Sequence, residues 1–153
     1  MEDKNFCYKY PRAAVTTDSV VFGIHGKRLS VLLIERAGEP YKGSWAIPGG
    51  FLEINETVET CAKRELEEET GLVNVNLQQF HVFSKVDRDP RDRVLTVAFW
   101  GVVQQSDFHA KAGDDAANVK WFKISQLPSL AFDHAEIISL AYKELKKKFV
   151  KSI

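Results

Sequence analysis

Hydrophobic and polar positions alternate with two different periods along this chain, and the switch between them marks the elements. Residues 1–12 are polar and mixed in charge up to Tyr10-Pro11-Arg12, which predicts a tail. From Ala13 to Ile24 the residues are β-branched and aromatic (Val15, Thr16, Thr17, Val20, Val21, Phe22), which suits a strand. His25-Gly26-Lys27 reads as a hairpin turn. Leu29–Arg36, with Val31, Leu32, Leu33 and Ile34 in succession, reads as a second strand buried on both faces. Gly and Pro make a loop of residues 38–44.

The period then becomes helical. Val58, Ala62 and Leu66 recur at i, i+4 and i+8, the spacing of a stripe that faces a core. Asn55 is the expected N-cap, Glu56 and Glu59 suit the positive end of the helix dipole, and Gly71 suits the stop. Beyond it, Val73–Val86 predicts one or two strands, residues 87–93 a charged loop, and Val94–Val103 another strand. Residues 104–118 are polar around Ala112-Gly113-Asp114-Asp115-Ala116 and predict a mobile loop. Val119–Ile124 alternates and returns to the sheet. A last helix opens at Asp133, with Glu136 three residues on in a near capping-box pattern. Ile137, Ile138, Ala141 and Leu145 form its apolar face, and Lys146, Lys147, Lys148 and Lys151 a solvated C-terminal end. Strands on both sides of a central helix, plus a terminal helix, predict a mixed sheet covered by helices.

Composition adds bounds. With 153 residues, 44% hydrophobic and 27% charged, one globular domain is expected, spanning 13–153 after the tail. Net charge is zero, from 21 basic and 21 acidic residues, so nothing argues for a nucleic-acid backbone as partner. Cys7 and Cys61 form no metal-ligand pair and read as free thiols of a reducing compartment. No signal peptide and no apolar run long enough to cross a bilayer is visible, so a cytoplasmic location without membrane contact is expected. A homodimer is left open.

The chemistry concentrates in one stretch. Glu65, Glu68 and Glu69 stand at i, i+3 and i+4, on one side of a helix, where like charges repel. Gathered oxygen ligands of this kind are what Mg²⁺ or Mn²⁺ requires. Gly49-Gly50 lies just ahead, and adjacent glycines let a backbone approach a ligand. A solvated acidic face would explain Glu59 and Glu67; it explains Glu65 and Glu69 poorly, because they flank the apolar stripe.

Gly50, Glu56, Arg64, Glu65, Leu66, Glu68, Glu69, Gly71 and Leu72 together match every constrained position of a long gapless signature, and on these residues the chain resembles the Nudix hydrolases. The resemblance implies the Nudix α/β/α sandwich with a mixed sheet, and a metal-dependent attack of water on a diphosphate. It implies Glu65 and Glu69 as direct ligands of Mg²⁺ or Mn²⁺, Glu68 as a direct or water-mediated one, and the Gly49 carbonyl as another. Arg64 is expected to pair with Glu56 or to orient a carboxylate. The general base stays open among Glu53, Glu65, Glu68, Asp114 and Asp115.

Three stretches outside the signature, 87–94, 112–116 and 130–135, resemble the ADP-ribose pyrophosphatase branch. They imply ADP-ribose as substrate, giving AMP and ribose 5-phosphate; Arg36 and Arg88 or Arg93 are candidates to hold its phosphates or ribose hydroxyls, and Gly50, Asp115 and His134 are further candidates at the substrate. Arg91 is expected to pair with a nearby aspartate instead. Two rivals stand beside this reading. One is a pyrophosphohydrolase of oxidised nucleoside triphosphates. The other is an ADP-ribose-sensing regulator, a class in which the domain precedes a winged helix that finds no room before Ile153.

Overall fold

The computed structural model describes residues 5–113 and 116–150. Seven strands and two helices follow one another as β1 (Ala14–His25), β2 (Arg28–Arg36), β3 (Trp45–Ala46), β4 (Gly49–Phe51), α1 (Val58–Thr70), β5 (Gln78–Phe83), β6 (Val94–Gln104), β7 (Ala116–Lys123) and α2 (His134–Val150). The sheet is mixed. β1 runs parallel to β6 from Ala14 to Ile24, while the β1–β2, β2–β7 and β5–β6 pairs are antiparallel.

The arrangement turns on a divergence between β1 and β2. They pair only near their hairpin, from His25–Arg28 back to Phe22–Val31. Beyond that point the segment running from Trp45 to Phe51 fills the gap. β3 takes the free edge of β2 at Ile34 and Glu35, and β4 takes the free edge of β1 at Thr16, Thr17 and Asp18. Two glycines are thereby carried into the middle of the fold, beside the strand residues that keep no β2 partner.

Alternation along the strands divides the core between two faces. Val20, Phe22, Val31 and Leu33 pack with Ile47, Ala98 and Trp100 against Ile137, Ile138, Ala141 and Leu145 of α2. Val21 and Leu32 point the other way, with Val75 and Val103, onto Leu66 of α1 and Leu72 just beyond it. The result is an α/β/α sandwich, as expected, and β2 is buried on both faces.

Several local expectations need correction. The N-cap of α1 is Thr57, whose hydroxyl accepts the Thr60 N–H at 3.2 Å; Asn55 lies two residues too early. Of the one or two strands expected over Val73–Val86 one forms, and it is shorter than the stretch, Gln78–Phe83, because Val75 is drawn into the α1 core. Asp133 does not cap α2 with its carboxylate, which two Arg88 bonds of 2.8 and 2.7 Å already engage. The loop after β6 is tethered: the Lys111 and Gly113 N–H groups donate to the Thr70 and Glu69 carbonyls at the end of α1. These are carbonyls a helix end otherwise leaves without an internal partner.

The cap assignment can be checked directly. Thr57→Ala should lower stability by about 1 kcal/mol, the usual cost of losing an N-cap hydroxyl. Asn55→Ala should leave the thermal midpoint essentially unchanged. Chemical or thermal melts of both variants decide it; equal losses would mean that the helix start is misplaced.

Candidate functional site

The signature residues meet where α1 faces β4. Arg64 is the hub. Its Nε and Nη2 donate to both oxygens of Glu56 at 3.0 and 2.6 Å, a bidentate pair. Nη1 donates to Glu65 at 2.8 Å and to Glu68 at 3.3 Å, and Nη2 also reaches the Phe51 carbonyl at 3.1 Å. Arg64 therefore does both things expected of it, pairing with Glu56 and orienting carboxylates. Glu56 also accepts the Glu53 N–H at 2.9 Å. The Arg64 bonds, helped by that N–H, pull the Glu56 carboxyl down to about 2 from an ordinary 4.5. Glu56 and its bonds in turn hold the Arg64 guanidinium above its usual range.

The glycines are required by space. Glu69, buried at 6% exposure, accepts the Gly49 N–H at 2.7 Å. A side chain on Gly50 would run into the Glu65 carboxylate, and one on Gly49 into the Thr17 carbonyl and Asp18. Beneath them the buried Cys61 thiol receives a hydrogen bond from Thr17 Oγ1 at 3.3 Å, tying α1 to β1.

These elements frame a cleft of about 730 Å³ whose walls include Gly49, Gly50, Glu53, Glu65 and Glu69. Arg36, Arg88 and His134 line it too, whereas Arg93 is not among its lining residues and its guanidinium lies 3.5 Å from the Lys85 carbonyl. Arg36 donates to the Pro40 carbonyl at 2.7 Å and lies over the Phe132 ring at 5.0 Å. Burial, then the neighbouring Arg91, lower its pKa. Arg88 is committed to Asp133, and Arg91 is held by Asp89 through bonds of 3.0 and 2.7 Å, as expected of an arginine near an aspartate. His134 is almost fully buried. Its Nδ1 accepts the Ile47 N–H at 3.0 Å, so it positions the segment ahead of Gly49, and burial keeps its pKa below the ordinary histidine value. Asp114 and Asp115 lie outside the described residues.

Sequence reasoning missed Asp18, Asp89, Phe51 and Phe132, all of which line the cleft. Asp18 left a signal, as a charge in mid-strand within a hydrophobic run. Phe132 left none: it takes a left-handed backbone, with φ of +51°, that its residue type does not announce.

Among the described residues no three carboxylate, histidine or cysteine side chains converge as a ready metal cluster. The donor set nonetheless suits a hard cation. Glu65, Glu68 and Glu69 offer only oxygen, two of them against a glycine cradle that a Cβ would fill.

A mixed sheet between two helices, with this acidic helix facing a double glycine, defines a class of fold and site. The NUDIX domain family model matches residues 13–141, and the chain belongs to that family. It is 43% identical over 131 residues to an ADP-ribose pyrophosphatase of Methanocaldococcus jannaschii, an overlap of 86% of this chain and 73% of that one. It is 32% identical over 143 residues to an ADPR-responsive transcriptional repressor of Acinetobacter baylyi, across 91% of this chain but only 57% of the repressor. The NUDIX domain of Shewanella oneidensis NrtR, solved with ADP ribose, superposes with a TM-score of 0.83 at 30% identity, covering 92% and 94% of the two chains.

The Glu56–Arg64 pair makes a pH prediction. A carboxyl whose pKa falls on folding contributes stability that is complete above its unfolded value and is lost as pH drops through the folded one. Here the loss should run from pH 4.5 down to about 2. Glu56→Gln should flatten that acid limb. Urea melts of parent and variant at about pH 6 and about pH 3 measure it; parallel curves would rule the pair out as the source.

Proposed function

We propose that this chain hydrolyses the diphosphate of ADP-ribose, with Mg²⁺ or Mn²⁺, to AMP and ribose 5-phosphate. The observation that carries it is the placing of Glu65 and Glu69 against Gly49-Gly50, with Arg64 holding Glu65 and Glu68 in line. A divalent cation supplies charge neutralisation of the diphosphate and a more acidic water. Glu65, Glu68 and Glu69 would hold it, with the Gly49 carbonyl. Arg36, which has no carboxylate partner within ion-pair distance among the described residues, provides a positive charge for a phosphate oxygen. Of the candidate bases on described residues, Glu53 and Glu65 line the cleft and Glu68 does not. Water adds across one P–O–P bridge, and the bridging oxygen leaves with one phosphate.

The similarity to an ADP-ribose pyrophosphatase supports this substrate. The likeness to a repressor, and to a regulator domain solved with ADP ribose, supports a second reading in which the ligand is bound and not cleaved. Turnover separates them.

With Mg²⁺ present, ADP-ribose should be converted to AMP and ribose 5-phosphate, and exhaustive chelation should stop it. Its kcat/KM should exceed that for 8-oxo-dGTP by about tenfold or more, about 1.4 kcal/mol of transition-state preference. A tenfold preference the other way would overturn the substrate. Tight ADP-ribose binding without products would favour the sensor.

Glu69→Gln keeps an oxygen for the Gly49 N–H while removing the charge, so it should fold normally and lose about a hundredfold or more in kcat/KM. Parent-like turnover would exclude Glu69 as a ligand. Loss of the fold, read by circular dichroism, would make its carboxylate structural.

A further inference from the structure

Asp18 has no part in the chemistry described so far, yet it lies in the wall of the same cleft. It stands in mid-β1 at 6% exposure, paired across the sheet with Gly49. Its Oδ2 accepts the Thr96 hydroxyl at 2.6 Å. Its Oδ1 is 3.6 Å from His134 Nε2, beyond hydrogen-bonding reach. His134 Nδ1 is taken by the Ile47 N–H, so the neutral ring carries its proton on Nε2, facing Asp18 without a bond to it. A carboxylate offers about four acceptor sites, and among the described residues Asp18 fills one with a donor at hydrogen-bond distance.

As a staple between β1 and β6 an amide would serve as well, since only one acceptor oxygen is needed for Thr96. A buried charge is costly unless something meets it. Within the cleft the candidates are Arg36 and Arg91, both of which feel the Asp18 charge but direct their hydrogen bonds to Pro40 and Asp89. One face of Asp18 therefore remains for a ligand donor, next to the glycines where the diphosphate is proposed to lie. Sugar hydroxyls flank that diphosphate and are donors; phosphate oxygens are not.

We propose that Asp18 is a specificity-determining residue, its Oδ1 accepting a hydrogen bond from a ribose hydroxyl of the bound nucleotide and its charge turning away a phosphate on that hydroxyl. This rests on the diphosphate reading above and deepens it. The selected class is a nucleoside diphosphate sugar with free hydroxyls beside the cleaved bridge. Which ribose is read, the adenosine one or the terminal one, is settled by two probes.

The experiment compares ADP-ribose with ADP-ribose phosphorylated on the adenosine ribose and with ADP-ribose phosphorylated on the terminal ribose. The parent should disfavour one of the phosphorylated forms by about tenfold or more in kcat/KM, and Asp18→Asn should shrink that penalty by about tenfold. Thr96→Val, which keeps the charge and drops only the anchoring bond, should retain the penalty. Because two substrates compete for one preparation, the ratio does not depend on how much of a variant is folded. A penalty unchanged in Asp18→Asn, or no penalty in the parent, overturns the assignment; a penalty lost equally in Thr96→Val makes Asp18 a structural staple and overturns it too. Should the parent bind ADP-ribose without cleaving it, the hydrolase reading falls and the same ratios are read as Kd values by calorimetry. No binding at all removes both.

Discussion

Carboxylates crowded on one short helix repel one another, and the fold of this site depends on how Arg64 answers that repulsion. Glu56, Glu65 and Glu68 all bond to its guanidinium, and its remaining reach goes to the Phe51 carbonyl. Those partners come from the loop ahead of α1, from α1 itself and from β4. One planar cation with donors on a fixed fork thus locks helix, loop and strand edge into one geometry. A lysine could neutralise the charge but could not hold four acceptors in fixed directions. Glu69 is outside this knot and turns to the Gly49 N–H, so the acidic cluster is divided between a cation and a backbone donor.

That division works only because β4 lies where it does. β1 and β2 part after the hairpin, and β3 and β4 occupy the opening from opposite sides. Gly49 and Gly50 then stand between strand β1 and helix α1, with no room for side chains. His134, from the start of α2, secures the same segment from the other layer through Ile47. Both helices of the sandwich therefore converge on the segment from Trp45 to Phe51 that carries β3 and β4, and the fold and the site are stabilised by the same contacts.

Much of this was legible in the sequence, for reasons that differ by residue. The acidic triplet and the glycines were readable because helical spacing and steric freedom are local properties. The two long central strands were readable because runs of β-branched residues leave few alternatives. Thr57 was not, since Asn55 and Thr57 are both good caps and only the packing of α1 chooses between them. Val75 looked like a strand residue because burial against a helix and burial in a sheet select the same side chains. Arg88 was expected near the substrate and does line the cleft, but its tie to Asp133 spans 45 positions of sequence that no local pattern reveals. Asp18 needed the register of β1 against β4 before its charge acquired a neighbour.

The arginines show how the cleft separates structure from recognition. Arg64, Arg88 and Arg91 are each held by a carboxylate in a bidentate pair, and so are fixed in direction. Arg36 bonds only to a carbonyl, is partly desolvated, and sits near Arg91 over the same Phe132 ring. Two cations beside one aromatic ring repel each other, which is unfavourable for the fold by itself and favourable once an anion lies between them. Asp18, in the lining of the same cleft, supplies part of that negative charge, and the same charge would oppose additional phosphates. The cleft is lined by Arg36, Arg64, Arg88 and Arg91 together with Asp18, Glu53, Glu65, Glu69 and Asp89, a mixture of signs that suits a ligand whose charge is confined to its middle. A diphosphate between two sugars has that distribution, and a terminal triphosphate does not.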